Sequence, residues 1–259
     1  MQINTELMRQ FRDKCSKGGV IGPFMKSLDT AFVEAAGFAG CDFAILDREH
    51  GLSDYEKLQD NIRGAQLAGM LPVVRVPQLS EVEIAKALDA GAAAVQIPQI
   101  TSAEDAREAV RAAKYYPKGE RGVCRFVRAA HYSTIPREQY FKQANDTLVI
   151  LQIEGRDAIQ NLDAILEVEG FDILFIGPYD LSQSMEVPGQ TSHPDVVAAM
   201  RDVVAKAREH GILVGTFVDD HDKLVMWHSA GVQYLSYSVD VGIFGDACSS
   251  IKHKFAELQ

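Results

Sequence analysis

A single-domain (β/α)8 barrel is the α/β fold predicted for this chain, and three observations carry it. Eight short apolar runs alternate with helical stretches along its 259 residues. Most of these runs lack polar alternation, which marks parallel strands buried on both faces. Eight strand–helix units in a chain of this length favour closure into a barrel. An open doubly wound sheet is the competing fold. It is weakened because no glycine-rich nucleotide fingerprint follows the first run.

The strands are expected at Gly19–Met25 (GVIGPFM), Phe43–Glu49 (FAILDRE), Leu71–Val76 (LPVVRV) and Ala94–Ile100 (AVQIPQI). Leu148–Glu154 (LVILQIE), Asp172–Gly177 (DILFIG), Leu213–Val218 (LVGTFV) and Tyr234–Val239 (YLSYSV) complete the set. The start, MQINTELMRQFRDKC, is charged and helix-like. Ser53–Leu67 puts Tyr55, Leu58, Ile62 and Ala65 near helical spacing, and Ser102–Lys114 opens on Ser-x-Glu and is alanine-rich. Pro194–His210 has proline near its first turn and stops at Gly211. Asp220–Ala230 and Gly242–Leu258 read as helices too.

Two segments break the rhythm. The insertion at about 115–147 is too long for a plain connection and holds Arg121, Arg125 and Arg128 among aromatics; long loops in compact domains are usually functional. Pro178–Pro194 is rich in Ser, Gly and Pro and reads as irregular. No linker, repeat or low-complexity tract divides residues 1–259, so one domain is expected.

Composition bounds the function. Hydrophobic residues make up 47% and charged residues 24%, enough apolar mass for one core. The formal charge of −10, with no basic block against it, argues against nucleic-acid or anionic-membrane partners. It leaves an anionic substrate open, because a few local cations or a metal reverse the field within one pocket. Cys15, Cys41, Cys124 and Cys248 form no CxxC pair, so a zinc knuckle or redox motif is not expected. Scattered cysteines, no apolar leader and no apolar run of about 20 residues point to the cytoplasm.

Active sites of such barrels form at the C-terminal ends of the strands. There the second strand ends in Asp47-Arg48-Glu49-His50-Gly51, the third carries Arg75, the fifth ends in Gln152-Ile153-Glu154, and the sixth runs into Gly177-Pro178-Tyr179-Asp180. Charges on otherwise apolar strands need partners. Glu154 and Asp180 come from adjacent units, so a hard divalent cation would relieve their repulsion. With no His or Cys pair nearby, Mg2+ or Mn2+ fits better than zinc, and about four octahedral positions stay open to a 2-oxo acid and water. The competing reading makes each carboxylate a helix cap or an arginine partner. Asp47 is spaced to bond one ring nitrogen of His50 and leave the other as a base; alternatively it caps a helix beside a loop histidine. Arg75 suits a carboxylate or an enolate oxygen; alternatively it pairs with Asp47, Glu49 or Glu154.

These residues stand in motifs that resemble the metal-dependent class II pyruvate aldolases. The likeness is to the 4-hydroxy-2-oxoheptanedioate and 2-dehydro-3-deoxyglucarate aldolase type, within the citrate-lyase-like superfamily. The matching pieces are LDREHG at Leu46–Gly51, PVVRVP at Pro72–Pro77, LDAGA at Leu88–Ala92 and YPKGERGV at Tyr116–Val123. NDTLVILQIEG at Asn145–Gly155 and NLDAILEVEGFDILFIGPYDLSQSM at Asn161–Met185 follow in the family's order. The resemblance implies Glu154 and Asp180 as metal ligands (Mg2+ or Mn2+, with Co2+ possible) and Arg75 as the residue that steadies a pyruvate enolate. It implies His50 with Asp47 as the acid/base, and Gln152 and the backbone of Gly177 and Pro178 as pyruvate contacts. Asp89 matches an aspartate that approaches a neighbouring subunit's site. A homohexamer with an exchanged C-terminal helix, about 242–258, is implied as well. Arg48, Arg125 and Phe126 depart from the usual residues, and the last two lie in a loop that would face the aldehyde.

The activity so implied is reversible cleavage of a 4-hydroxy-2-oxo acid to pyruvate and an aldehyde. No Schiff-base lysine is required; Lys26 is the one lysine near a predicted strand end. The rivals are a malyl- or citryl-type CoA-ester lyase, an oxaloacetate decarboxylase, and a non-enzymatic barrel that binds a 2-oxo acid.

Overall fold

All eight apolar runs form strands in the computed structural model, which describes residues 3–259. They are β1 (Val20–Met25), β2 (Phe43–Asp47), β3 (Leu71–Arg75), β4 (Ala94–Ile97), β5 (Leu148–Ile153), β6 (Ile173–Ile176), β7 (Leu213–Val218) and β8 (Tyr234–Val239). Each pairs in parallel with the next, and β8 closes on β1. The chain is therefore a closed (β/α)8 barrel rather than an open sheet.

The helices are α1 (Ile3–Lys17), α2 (Thr30–Phe38), α3 (Tyr55–Leu67), α4 (Glu81–Asp89), α5 (Ala103–Ala113) and α6 (Arg137–Ala144). α7 (Arg156–Gln160), α8 (Leu162–Leu166), α9 (Pro178–Ser184), α10 (Pro194–Glu209), α11 (His221–Ser229) and α12 (Asp240–Ala256) complete them. Side-chain caps start several of them: Asp54 accepts from the Lys57 amide, Ser102 from Asp105, and Asp220 from Lys223. Six helices, α2, α4, α6, α7, α8 and α9, were not among the sequence expectations. Pro178–Pro194 is also less irregular than its composition implies, because Pro178 occupies the first turn of α9.

Side chains alternate across each strand with a period of two. The inward set on β1 is Val20, Gly22, Phe24 and, one step past the strand, Lys26. On β2 it is Phe43, Ile45 and Asp47. Phe43, Ile45, Val73, Ile150, Phe175 and Tyr234 fill the barrel interior. α1 closes the bottom, with the Phe11 ring 6.2 Å from Phe43 and 5.9 Å from Tyr234. The outward set, including Leu46, Val74, Val95 and Leu174, packs under the surrounding helices.

The insertion is a folded unit rather than a bare loop. It contains a 3-10 turn at Arg128–Ser133 and α6, and its small core gathers Tyr115, Ala130, Ile135 and Tyr140. Its three arginines pin it down. Arg121 donates to Asp89 at 2.5 Å, Arg125 to the carbonyls of Ser133 and Ile135, and Arg128 to the carbonyl of Ala90 and to Gln66.

α12 behaves differently. Asp240 anchors it by accepting from the Lys26 and Ser27 amides at 3.0 and 2.8 Å. Residues 241–259 are all exposed, among them Ile243, Phe244, Ile251 and Phe255. The helix does not close its own barrel. No helix among the described residues is long and apolar enough to cross a membrane.

Barrel closure makes one glycine on β1 irreplaceable. A Cβ on Gly22 would lie 2.0 Å from the Phe43 carbonyl oxygen, in a wall held on both sides by strand pairing. Gly22→Ala should cost about 1–3 kcal/mol, as overpacking of a filled core does. Urea unfolding of both proteins measures this, and an unchanged midpoint would show that the strands separate at no cost.

Candidate active site

A cavity of about 380 Å³ opens at the C-terminal ends of the strands. Its floor is aromatic: Phe24 stacks edge-on against Phe175 at 6.2 Å and tilts against Phe217 at 5.9 Å. Above the floor lies a polar layer, reached by the inward positions where the strands end. His50, Arg75, Gln152, Glu154, Gly177, Pro178 and Asp180 all line the cavity, so seven of the residues singled out in the sequence converge. Asp47 lies just behind Arg75. Asp89 does not converge: it is on the last turn of α4, which leads down to the start of β4, and it pairs with Arg121. No insertion residue lines this cavity either, so Arg125 and Phe126 do not face it within one chain.

Arg75 is the most constrained group of the layer. Asp47 and Arg75 are register partners on β2 and β3. The Arg75 Nε and Nη2 donate to the two Asp47 oxygens at 2.9 and 2.8 Å. Nη1 lies 2.8 Å from Glu49 Oε2, and the guanidinium covers the Phe24 ring at 4.7 Å. A guanidinium has five N–H bonds; two are bound by Asp47, while Nη1 meets Glu49 by charge and not by a hydrogen bond, so donors remain for a ligand. Burial pushes the Asp47 carboxyl up, but the hydrogen bonds and charge of Arg75, with the amides of Glu49 and His50, outweigh it and hold it below the ordinary range.

The expected bond from Asp47 to the His50 ring is not formed. Asp47 Oδ1 accepts from the backbone amides of Glu49 and His50 at 3.0 and 3.4 Å instead. The strand end turns back over the carboxylate, so the spacing of three residues serves the main chain, and the His50 side chain projects into the open cavity. Asp47 caps no helix; that role at α3 belongs to Asp54.

The carboxylate side is built by a relay of amides. Gln96 donates to Gln152 at 2.5 Å, and Gln152 donates to Glu154 Oε2 at 2.6 Å. The Gln99 amide reaches Glu154 Oε1 at 2.8 Å from a left-handed backbone at φ 57, a strained position for a non-glycine residue. Gly177 makes room: a Cβ there would lie 2.6 Å from Glu154 Oε2. Burial pushes Glu154 up to about 7, and the nearby charges of Glu49 and Asp180 add to that, against the lowering effect of Gln152 and Gln99.

A buried carboxylate facing other carboxylates, with only neutral donors, is what a cation would relieve. Glu154 and Asp180 together supply hard oxygen donors of the type magnesium and manganese prefer. No cluster of three or more His, Cys, Asp or Glu groups that could hold a metal ion forms among the described residues. Gln96, Gln99, Glu49, Lys26, Tyr179 and Asp219 also border the site and were not singled out in the sequence as site residues. The signal that finds Lys26, Gln96 and Asp219 is their inward parity at strand ends. Tyr179 donates to Asp219 at 2.5 Å, and Lys223 donates to the same carboxylate at 2.6 Å.

Known proteins resemble the chain over most of its length. The HpcH/HpaI aldolase/citrate lyase family model matches residues 21–247. The 2-keto-3-deoxy-L-rhamnonate aldolase of Escherichia coli strain K12 is 35% identical over 248 residues, 95% of this chain and 92% of that protein. An HpcH/HpaI aldolase/citrate lyase family protein from Burkholderia cenocepacia J2315 superposes with a TM-score of 0.90 at 31% identity, covering 97% of this chain and 99% of its own. An HpcH/HpaI aldolase from Desulfitobacterium hafniense DCB-2 does so at 0.89 and 32%, covering 96% and 97%.

Removing Arg75 leaves Asp47, 2% exposed, without its hydrogen-bonded counter-charge and with only the looser Lys26 contact at 3.9 Å. Arg75→Ala should therefore destabilise the fold by about 3–5 kcal/mol, the cost of breaking a buried pair from one side. Urea unfolding at pH 7 reads this directly. A loss below about 1 kcal/mol, the scale of an exposed pair, would show that the pair does not hold the strand ends together.

Proposed function

Since the chain belongs to the HpcH/HpaI aldolase/citrate lyase family and is a class II aldolase, a carbon–carbon lyase, we propose that it reversibly cleaves a 4-hydroxy-2-oxo acid to pyruvate and an aldehyde. The observation that carries this reading is the convergence of Glu154 and Asp180 with Arg75 and His50 on one cavity. The curated relatives are named for a 2-keto-3-deoxy aldonate, which belongs to the 2-oxo acids unsubstituted at C3. The name they carry is that of an aldolase, not of a CoA-ester lyase.

Glu154 and Asp180 would hold Mg2+ or Mn2+, with Co2+ a third candidate. Bound there, such an ion supplies Lewis acidity to a keto group. The chain's own residues do the rest. Gln152 and the Gln99 amide orient Glu154, and the backbone at Gly177 and Pro178 borders the carboxylate of pyruvate. His50 takes the 4-hydroxyl proton. The C3–C4 bond breaks, its electron pair passes to the pyruvate half as an enolate, and the aldehyde leaves. The N–H bonds of Arg75 left free by Asp47 meet the oxygen on which charge develops. Protonation at C3 then gives pyruvate. Asp47 is a positioning residue that fixes Arg75 rather than the His50 tautomer.

We further propose a homohexamer in which α12 crosses to a neighbour. The support is its apolar, wholly exposed surface, together with Asp89, which lies outside its own cavity where a neighbouring site could use it.

Two measurements test these readings. Chelation with EDTA should abolish aldol cleavage and Mn2+ restore it, while Glu154→Gln and Asp180→Asn should each lose Mn2+ binding in calorimetric titration; full activity in EDTA with no bound metal would overturn the assignment. Sedimentation equilibrium should give a hexamer, and Phe244→Asp with Ile251→Asp should yield smaller species. A fully active wild-type monomer would refute the exchange.

A further inference from the structure

Lys26 occupies an inward position at the end of β1, one alternation beyond Phe24, and its side chain lines the cavity. Its backbone is fixed: its own amide and that of Ser27 are both bound by the buried Asp240. The ammonium is thus delivered to a set place at the barrel mouth. Its one ion pair among the described residues is with Asp47 Oδ2 at 3.9 Å, beyond hydrogen-bond distance. Asp47 already takes the Arg75 fork and two amides. Of the other acids of the cavity wall, Asp219 is engaged by Tyr179 and Lys223 and Glu154 by Gln152 and Gln99, and Asp180 forms no ion pair with Lys26 among the described residues. Lys26 therefore brings a positive charge and three donors that the protein does not satisfy.

The barrel order places that charge. β1 lies four strands from β5, which carries Glu154, and beside β2, which leads to His50. If pyruvate is held on the Glu154 side and His50 serves the 4-hydroxyl, the far end of the substrate, which leaves as the aldehyde, faces β1. We infer that Lys26 is a specificity-determining residue that binds an anionic group, a carboxylate or a phosphate, on the aldehyde half of the substrate. The inference rests on the aldolase reading above.

The test uses the Mn2+-loaded enzyme in the aldol direction with pyruvate and matched acceptor pairs: glyoxylate against glycolaldehyde, and glyceraldehyde 3-phosphate against glyceraldehyde. Wild type should favour the charged member in kcat/KM in at least one pair. Lys26→Met should lower that charged-to-neutral ratio by roughly 10- to 100-fold, the loss of one hydrogen bond to a charged group. Lys26→Arg should keep most of the preference. The pair that responds tells carboxylate from phosphate. If Lys26→Met lowers both members of each pair equally, Lys26 only supports Asp47, and the inference falls; an unchanged ratio in both pairs overturns it as well. Exchange of the C3 protons of pyruvate with deuterated water, followed by NMR in the wild type, separates the two levels. Exchange without charge discrimination sinks only the role of Lys26, whereas no exchange and no addition sinks the aldolase reading with it.

Discussion

Two carboxylates face one guanidinium at the end of β2 and β3, and the rest of the site is arranged around that contact. A buried ion pair gains little net stability, because desolvation offsets most of the attraction. Its value here is geometric. Asp47 and Arg75 are register partners, so the fork couples the two strand ends at fixed distance. The turn after β2 folds its amides onto the same carboxylate, which sets where His50 leaves the backbone. The Phe24 ring beneath the guanidinium blocks it from sinking into the barrel. What remains to Arg75 are the N–H bonds that Asp47 does not take, on a side chain that lines the cavity.

The same reasoning separates the two walls of the cavity. Around Arg75 the charges are closely matched, with Asp47 and Glu49 in contact. Around Glu154 they are not. Its partners there are amides, and its neighbours Glu49 and Asp180 are acids that push it further toward protonation. Evolution of a packed core would replace such a group with a neutral one unless something bound there repaid the cost. The absence of a side chain at Gly177 and the left-handed turn at Gln99 both serve to position this one carboxylate. Strain and unsatisfied charge thus concentrate on the β5–β6 wall, where a cation would act.

How far the sequence foretold this depended on the range of the interactions. Every strand was legible, because buried parallel strands are apolar without interruption and each run is local. Most side chains of the cavity were legible too, since a charge at the end of such a run must be met by a partner or a ligand. The contacts among them were not. Spacing offered Asp47 to the His50 ring, but a tight turn brings the main chain to the carboxylate first. Arg121, Arg125 and Arg128 stood out in an insertion long enough to be functional, yet each finds its partner in a carbonyl or side chain that only the folded insertion brings near. Helices α2 and α4 are short, nine residues each, and gain their stability from packing against neighbours, as helices of their length do.

One rule could have extended the reading. On a barrel strand the inward residues alternate, and beyond the filled interior the next inward position must either be small or answer to a partner. Gly177 takes the first course. Asp47, Arg75, Gln96 and Gln152 take the second, and each is answered by another of the set. Glu154 meets only neutral donors and Lys26 only a loose ion pair, and the two have opposite charge and lie on opposite walls. A small molecule that completes both needs a cation-seeking oxygen cluster at one end and, toward β1, a group that accepts hydrogen bonds from an ammonium. The barrel thus states two requirements for its substrate through two charged side chains that no opposite charge holds at hydrogen-bond distance.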